Sequence, residues 1–166
     1  MRELILAIAL TAATQGAAAA DAFEDATTAV KRRDYASAER VLLPLAENGD
    51  LRAQISIANL YLGRFWPRHY AEAAKWYRRA ADQGYYAAQY ELSRMQADGW
   101  GVPRDYVSAH MWLSLAIRNG YSGRGELRAL ERYMTAAEIS EAQKRPNEWQ
   151  PRPERYRIQL NEAVRR

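Results

Sequence analysis

The stretch that decides the fold is HYAEAAKWYRRAADQG, residues 69–84. Its alanine and aromatic residues recur at three- and four-residue spacing, which is typical of a helix with one buried face. A glycine closes the stretch, and glycine readily adopts the left-handed conformation that ends many helices. Similar segments stand on either side, DYASAERVLLPLAENG at residues 34–49 and DYVSAHMWLSLAIRNG at residues 105–120. The chain therefore repeats one structural unit.

The three segments recur at a nearly constant spacing. Each has a tyrosine at its second position, and these tyrosines, which lie 35 and 36 residues apart, are Tyr35, Tyr70 and Tyr106. The preceding stretch repeats too, since AQISIANLY at residues 53–61 aligns with AQYELSRMQ at residues 88–96. A fixed period between about 20 and 50 residues indicates stacked supersecondary units. Each unit is predicted to contain a helix, a turn with glycine or proline, and a second helix closed by glycine.

The repeated residues carry a family resemblance. KWYRRAADQG and the upstream DGWGVPRD resemble the Sel1-like repeat, a relative of the tetratricopeptide repeat. Residues 50–84 and 85–120 match the family pattern well, and residues 21–49 form a degenerate, shorter first repeat. This resemblance implies an all-α fold, a right-handed αα-solenoid of helix pairs with a C-terminal helical cap.

Two departures from the family pattern concern the turns of the repeats. The segment GRFWPRH lacks the usual Gly-x-Gly-Val, and Gln96 stands where the family prefers tyrosine. The packing of these turns is therefore left open. The core positions are clearer, since Ile57 and Leu92 occupy equivalent places in the first helices of the two good repeats.

The C-terminal segment, residues 121–166, is predicted to form capping helices and a basic tail. Thr135 and Glu138 have the spacing of a capping box, which marks the start of a helix. Pro146 should prevent that helix from continuing far. A final helix is predicted over residues 153–166. Its amphipathic pattern would let it close the end of the array.

The first twenty residues have the layout of a secretory signal. A short start with Arg2 precedes an apolar run over residues 4–13, and small residues lead to a cleavage site near Ala20. We therefore expect export to the periplasm. The sequence has no cysteine, so disulfides, thiolate catalysis and cysteine metal sites are excluded.

The net charge of +4 is unevenly distributed. Residues 21–143 contain 16 basic and 16 acidic side chains, whereas residues 144–166 contain seven basic and three acidic ones. A neutral body argues against nucleic-acid binding, which needs a basic face. The tail has two interpretations: a capping helix with arginines facing water, or a segment that contacts an anionic membrane surface. Membrane contact is expected only through this tail.

The sequence offers little evidence of catalysis or metal binding. Its two histidines, His69 and His110, lack the spacing of a metal site, and no serine stands in a Gly-x-Ser-x-Gly turn. His69 and Asp105 stand where second helices begin, so we expect both to cap a helix. Asp98 and Asp105 are interpreted as capping residues rather than as a catalytic pair. We predict no catalytic residues, metal ligands or cofactors, and no pocket where Ser, His and carboxylate groups converge.

The tryptophans admit a ligand-stacking interpretation and a packing interpretation. Packing is favoured because Trp76 and Trp112 fall on the buried stripe of the repeat, and Trp66 and Trp100 lie in matching turns. Trp149 follows the capping helices and is expected to clamp the last helix.

The function that remains is binding by a preformed surface. The resemblance implies that the first helix of each unit lines a concave groove, and helical solenoids bind partners in such grooves. The positions that flank the core and point into this groove are Arg52, Ile55, Asn59, Tyr90 and Arg94. The chain is thus expected to be a non-catalytic adaptor of the cell envelope that binds a protein or peptide.

Three alternatives remain open from the sequence. The selected positions also fit an ordinary solvated helix face. A small cell-wall or β-lactam-related hydrolase of the Sel1-like class is a second possibility, although the disulfides of those relatives are absent here. An envelope-surface binder that acts through the basic tail is the third.

Overall fold

A computed structural model of the protein describes residues 21–63 and 69–152, and its regular structure is entirely helical. Residues 21–31 are helical and are called α1. The helices that follow are α2 (Tyr35–Glu47), α3 (Leu51–Leu62), α4 (Tyr70–Asp82), α5 (Tyr86–Asp98), α6 (Tyr106–Arg118), α7 (Arg124–Glu131) and α8 (Ala136–Glu148). The prediction of an all-α helical repeat is confirmed. The predicted signal segment, the turn containing Trp66, and the predicted last helix lie outside the described residues.

Consecutive helices pack against one another from α2 through to α6, and α6 then contacts both α7 and α8. Small side chains make this close packing possible. The alanines with no exposed surface are Ala38, Ala46, Ala53, Ala58, Ala73, Ala80, Ala81, Ala109, Ala116 and Ala142. The predicted core residues Ile57 and Leu92 are buried, at 0% and 3% exposure. Each helix pair therefore buries its apolar face against the next, as a stacked array requires.

A buried glutamine joins the repeat of residues 50–84 to the helix that precedes it. The Nε2 atom of Gln54 on α3 donates to the Ala46 carbonyl at the end of α2, over 3.2 Å. Gln83, the residue that follows α4, donates through Nε2 to Oε1 of Gln54 (2.9 Å) and to the Gly49 carbonyl (3.3 Å). Because helix ends leave carbonyl groups unsatisfied, these bonds supply partners where the chain turns.

The repeat of residues 85–120 contains the same arrangement. Gln89 on α5 donates to the Ala81 carbonyl over 3.2 Å, and Asn119 donates to Oε1 of Gln89 over 3.0 Å. Asn119 also reaches the Gly84 carbonyl at 3.3 Å. We call the four side chains Gln54, Gln83, Gln89 and Asn119 the amide ladder. The repeat period thus preserves a polar network as well as a hydrophobic pattern.

The second helices of the repeats begin in two different ways. Asp34 accepts a bond from the Ser37 amide (3.1 Å), and Asp105 accepts one from the Ser108 amide (2.9 Å), so both cap a helix. His69 occupies the same position before α4 but makes no capping bond with its side chain. The prediction of a His69 cap is therefore wrong. Its ring instead packs edge-on against Tyr61, with centroids 5.9 Å apart.

The turn between α5 and α6 depends on two glycines in the left-handed region. Gly99 has φ 75° and Gly101 has φ 70°. A Cβ atom on Gly101 would stand only 2.2 Å from the carbonyl carbon of Tyr70, so the turn packs directly on the start of α4. A Cβ on Gly99 would meet nothing closer than 3.7 Å. Of the two, Gly101 alone has no room for a Cβ atom, whereas both glycines have the positive φ that disfavours other residues.

The C-terminal helices follow the sequence prediction closely. Thr135 and Glu138 form a complete capping box, and α8 ends at Glu148, shortly after Pro146. Trp149 then packs edge-on against Trp112, with ring centroids 6.1 Å apart. The contact of Trp149 with the predicted last helix is not tested, because residues 153–166 lie outside the described part of the chain.

Candidate functional site

A cavity of about 430 Å³ lies between α1 and α3, with α2 at its base. Its apolar lining comes from all three helices: Phe23, Ala26, Val30, Leu42 and Leu60. Lys31, Ser56 and Asn59 add polar groups. We call this feature the α1–α3 cavity. An apolar hollow with a few polar groups is the usual form of a binding pocket for an inserted side chain or small ligand.

Asn59 is the predicted groove residue that lines this cavity. Its Oδ1 atom accepts a hydrogen bond of 2.5 Å from the hydroxyl of buried Tyr77. Burial, together with the charge of Glu91, raises the pKa of the Tyr77 hydroxyl, which therefore stays protonated and continues to donate at neutral pH. The Nδ2 group of Asn59 is then the part of this side chain that can donate to a ligand.

Arg52 and Ile55 both lie on α3, but their side chains make different contacts. The Arg52 guanidinium lies 4.5 Å from the ring centroid of Phe23, and its Nε is 3.8 Å from Oδ1 of Asp50. It therefore covers the outer side of a ring that lines the α1–α3 cavity. Ile55 is half-buried and packs against the core, so only part of its side chain faces outward.

The other two predicted groove residues lie on α5, in a cluster with aromatic side chains from outside that helix. The rings of Tyr90 and Tyr121 are 4.3 Å apart, and the guanidinium of Arg94 lies 5.8 Å from Tyr90 and 5.5 Å from Trp100. Arg94 also pairs with Glu91 at 3.2 Å. These contacts bring aromatic rings and a guanidinium group together in one surface cluster.

The sequence prediction thus found one rim of the candidate site and missed the other. It selected residues on α3 and α5, whereas the cavity also depends on Phe23, Val30 and Lys31 of α1. Phe23, Ala26 and Val30 are apolar positions of the degenerate repeat at three- and four-residue spacing, which places them on one helix face. The sequence did not show that this face borders a hollow.

Packing explains most of the tryptophans. Trp76 and Trp112 are 3% and 2% exposed, which confirms the packing interpretation for both. Trp100 is half-buried and stacked on Tyr70 at 5.7 Å between ring centroids. Trp66 lies outside the described residues.

A serine and a carboxylate each contact one buried histidine, a cluster that the sequence did not indicate. His110 on α6 is 1% exposed. Its Nε2 atom lies 3.0 Å from Oε1 of Glu131 on α7, and its Nδ1 atom lies 3.4 Å from Oγ of Ser114. The serine is one helical turn from the histidine, but the glutamate is 21 residues away, so only the packing of α7 on α6 brings it near. The i, i+4 spacing of His110 and Ser114 was the available signal.

The remaining predictions about chemistry have a simpler outcome. Asp105 caps α6, as expected, whereas Asp98 is the exposed last residue of α5. Across residues 21–63 and 69–152, no group of three or more His, Asp or Glu side chains is arranged to hold a metal ion. Within the same ranges, no helix has the length and apolar character needed to cross a bilayer.

The fold is that of a helical repeat protein, with a cavity between two of its first helices. The family model that matches the chain is the Sel1 repeat, which matches residues 52–85 and 87–121. Two segments of the chain therefore match the Sel1 repeat, and the resemblance inferred from the sequence is confirmed. Proteins with these repeats generally act as protein-interaction scaffolds.

Two solved structures support this assignment. One is a protective antigen present in uropathogenic Escherichia coli strains that displays an SLR fold, with a TM-score of 0.71 and 29% identity over 89% of this chain and 33% of that one. The other is a Sel1 repeat protein from Oxalobacter formigenes, with a TM-score of 0.59 and 28% identity over 78% of this chain and 99% of that one. This chain thus spans about a third of the antigen's length. No curated protein sequence matches the chain.

Proposed function

We propose that this protein is an adaptor that binds a segment of a partner protein along its first helices. An apolar side chain of that segment inserts into the α1–α3 cavity. The observation that carries the proposal is the cavity itself, which is apolar inside and open between two first helices. Its volume of about 430 Å³ is sufficient for a large side chain. Binding at this face makes and breaks no covalent bond.

The polar groups at the rim specify the kind of segment that fits. Lys31 lines the cavity and offers a positive charge, and Asn59 offers an amide donor. Both are suited to a carboxylate or to backbone carbonyl groups of a peptide. We therefore propose that the partner segment carries a large apolar residue close to an acidic one. The α5 cluster of Tyr90 and Arg94 would contact the continuation of the same segment, since Tyr and Arg contribute strongly at interfaces.

A peptide selection tests this proposal. Peptides displayed on phage are selected against the full chain, and their dissociation constants are measured by fluorescence anisotropy. The test variant is Val30→Glu, which places a charge at a residue that lines the cavity and is 42% exposed. The control is Tyr133→Glu, an equally drastic change at a residue that is 71% exposed and lies outside the cavity.

We expect selected peptides to pair a large apolar residue with an acidic one, and Val30→Glu to weaken their binding at least tenfold. This change corresponds to about 1.4 kcal/mol. Tyr133→Glu should leave binding unchanged. Equal weakening by both variants, or undiminished binding to the Val30→Glu protein, would contradict the assignment of the cavity.

The location of the protein is a separate proposal. The signal-like pattern of residues 1–20 supports export to the periplasm. Fractionation of cells that express the full gene should recover a shortened protein in the periplasmic fraction, and its first residue should lie near Asp21. Recovery of the uncut chain with cytoplasmic markers would refute export.

A further inference from the structure

A second cavity lies at the other end of the array and plays no part in the proposed binding face. It has a volume of about 490 Å³ and lies between α6 and α7. We call it the α6–α7 cavity. Its lining is Ser114, Ile117, Arg124, Leu127, Arg128 and Glu131. The serine and the glutamate that contact His110 therefore both open onto this cavity, together with two arginines.

The geometry determines which nitrogen of His110 acts as a base. A carboxylate can only accept hydrogen bonds, so Nε2 must carry the proton that it donates to Glu131. In the neutral imidazole, Nδ1 is then unprotonated and faces the Ser114 hydroxyl. The distance of 3.4 Å is somewhat long for a hydrogen bond, as is common in ligand-free nucleophile–base pairs. The order serine, histidine, carboxylate is the order of a hydrolytic triad.

We propose that Ser114, His110 and Glu131 form an acyl-transfer site that hydrolyses carboxylic esters whose acyl group carries a second, free carboxylate. Ser114 is the nucleophile, His110 is the general base and Glu131 is the positioning residue that fixes the histidine tautomer. Arg124 and Arg128 provide the positive charge that selects an anionic substrate.

The reaction balances with water as the only co-reactant. Oγ of Ser114 bonds to the ester carbonyl carbon while its proton moves to Nδ1 of His110, and the carbonyl electron pair becomes an oxyanion. The C–O bond to the leaving group then breaks, and the alcohol takes the proton from Nδ1. Water repeats these steps on the acyl-serine: it gives a proton to Nδ1, the acyl–Oγ bond breaks, and Oγ recovers the proton.

The oxyanion must be stabilised by side chains. Ser114 lies inside α6, where backbone amides are already used by the helix, so no oxyanion hole of backbone N–H groups is available beside it. Arg124 and Arg128 line the same cavity as the serine, and we assign the required positive charge to their guanidinium groups. Two cations beside a nucleophile also explain the preference for a substrate with a free carboxylate.

The experiment uses the purified full chain. A fluorophosphonate probe reports an activated serine by forming an Oγ–phosphorus bond with loss of fluoride, and peptide mass spectrometry locates the adduct. Hydrolysis is followed with mono-4-nitrophenyl adipate, which has a free carboxylate, and with 4-nitrophenyl acetate, which has none. The variants are Ser114→Ala, Glu131→Gln and the double change of Arg124 and Arg128 to Ala. Ser140→Ala is the matched control, an exposed helical serine of α8 that lines neither cavity.

We expect one adduct on Ser114 and at least a hundredfold loss of adipate hydrolysis in Ser114→Ala, since a serine nucleophile with its base contributes at least that much. Glu131→Gln should lower kcat and leave KM unchanged, which a merely structural role would not do. The double arginine variant should lose more activity on the adipate ester than on the acetate ester. Ser140→Ala should behave as the native protein does.

Two results would overturn the proposal. One is a native protein that shows neither an adduct nor hydrolysis above the buffer rate. The other is labelling or hydrolysis that persists in Ser114→Ala, which would assign the reactivity to another residue. Circular dichroism establishes that each variant is folded. Because alanine is the best helix former, Ser114→Ala should preserve α6.

Discussion

The two Sel1 repeats of this protein share a buried hydrogen-bond arrangement and differ at the start of their second helices. Each places a buried glutamine, Gln54 or Gln89, against the carbonyl of an alanine that ends the preceding second helix. The start of the second helix differs, because Asp105 caps α6 whereas His69 leaves α4 without a side-chain cap. The comparison teaches that the stack constrains groups at repeat–repeat contacts, while helix starts at the surface are free to vary.

The largest expected effect comes from the turn between α5 and α6, the two helices of the repeat at residues 85–120. Gly101→Ala should lower the free energy of unfolding by about 3 kcal/mol, because a side chain there is strained at positive φ and overlaps the backbone of Tyr70. Gly99→Ala is the matched control and should cost about 1 kcal/mol, since it meets only the backbone strain. Urea denaturation measures both. Equal costs would show that the turn can shift away from α4.

The amide ladder provides the next test. Gln54→Leu and Gln89→Leu should each lower the free energy of unfolding by about 2 kcal/mol, because a buried carbonyl and the partner amide lose their hydrogen bonds. The two variants should be alike if the ladder acts equally in both repeats. The measurement is chemical denaturation of the two proteins side by side. A difference of more than about 1 kcal/mol would break the equivalence of the repeats.

Substitutions at the two helix caps should change the stability by smaller amounts and in opposite directions. Asp105→Ala should cost about 1 kcal/mol of stability, as is usual when an N-cap is removed. His69→Asp should gain about 0.5 kcal/mol, because the backbone at His69 (φ −101°, ψ 67°) is close to that of the capping residue Asp34 (φ −88°, ψ 74°). Thermal denaturation is sensitive enough for both. A loss of stability in His69→Asp would mean that the ring contact with Tyr61 outweighs a cap.

The smallest effect is the pH dependence of the Asp105 cap. Burial alone would raise the pKa of this carboxyl, but the hydrogen bonds from Ser108 and the charge of Arg145 outweigh it and hold the pKa below the usual 3.8. A lowered folded-state pKa means that the cap stabilises fully above the unfolded-state pKa and is lost as the pH falls through the folded-state value. The stability gap between native protein and Asp105→Ala should therefore be constant near neutral pH and narrow below about pH 4. A gap that widens in acid would contradict this sign.

The two ends of the array also differ, in the cavities that they enclose. At the N-terminal end, α1 leaves an apolar cavity beside α3, whereas at the C-terminal end α7 places charged residues beside α6. The sequence indicated that both ends were irregular units. It did not indicate that each encloses a hollow, because a cavity depends on how far two helices stand apart.

Helix pairs, their order and most of the buried positions were predictable from the sequence. Periodic alanines and aromatic residues define the buried faces, and the capping box of Thr135 and Glu138 marks a helix start without reference to any other part of the chain. The candidate site was predictable only in part. Asn59 was found because α3 belongs to a regular repeat, whereas Phe23 and Val30 were missed because the degenerate repeat gave no basis for separating a cavity wall from the core.

The sequence by itself determined the repeating unit, since spacing along one chain fixes which residues share a helix face. The tertiary structure decided which faces meet. Glu131 stands 21 residues from His110 and has no local reason to be near it, and the same is true of Tyr77 and Asn59, which are 18 residues apart. Such pairs depend on the relative placement of packed helices, which arises from the fit of many side chains at once and from no single motif.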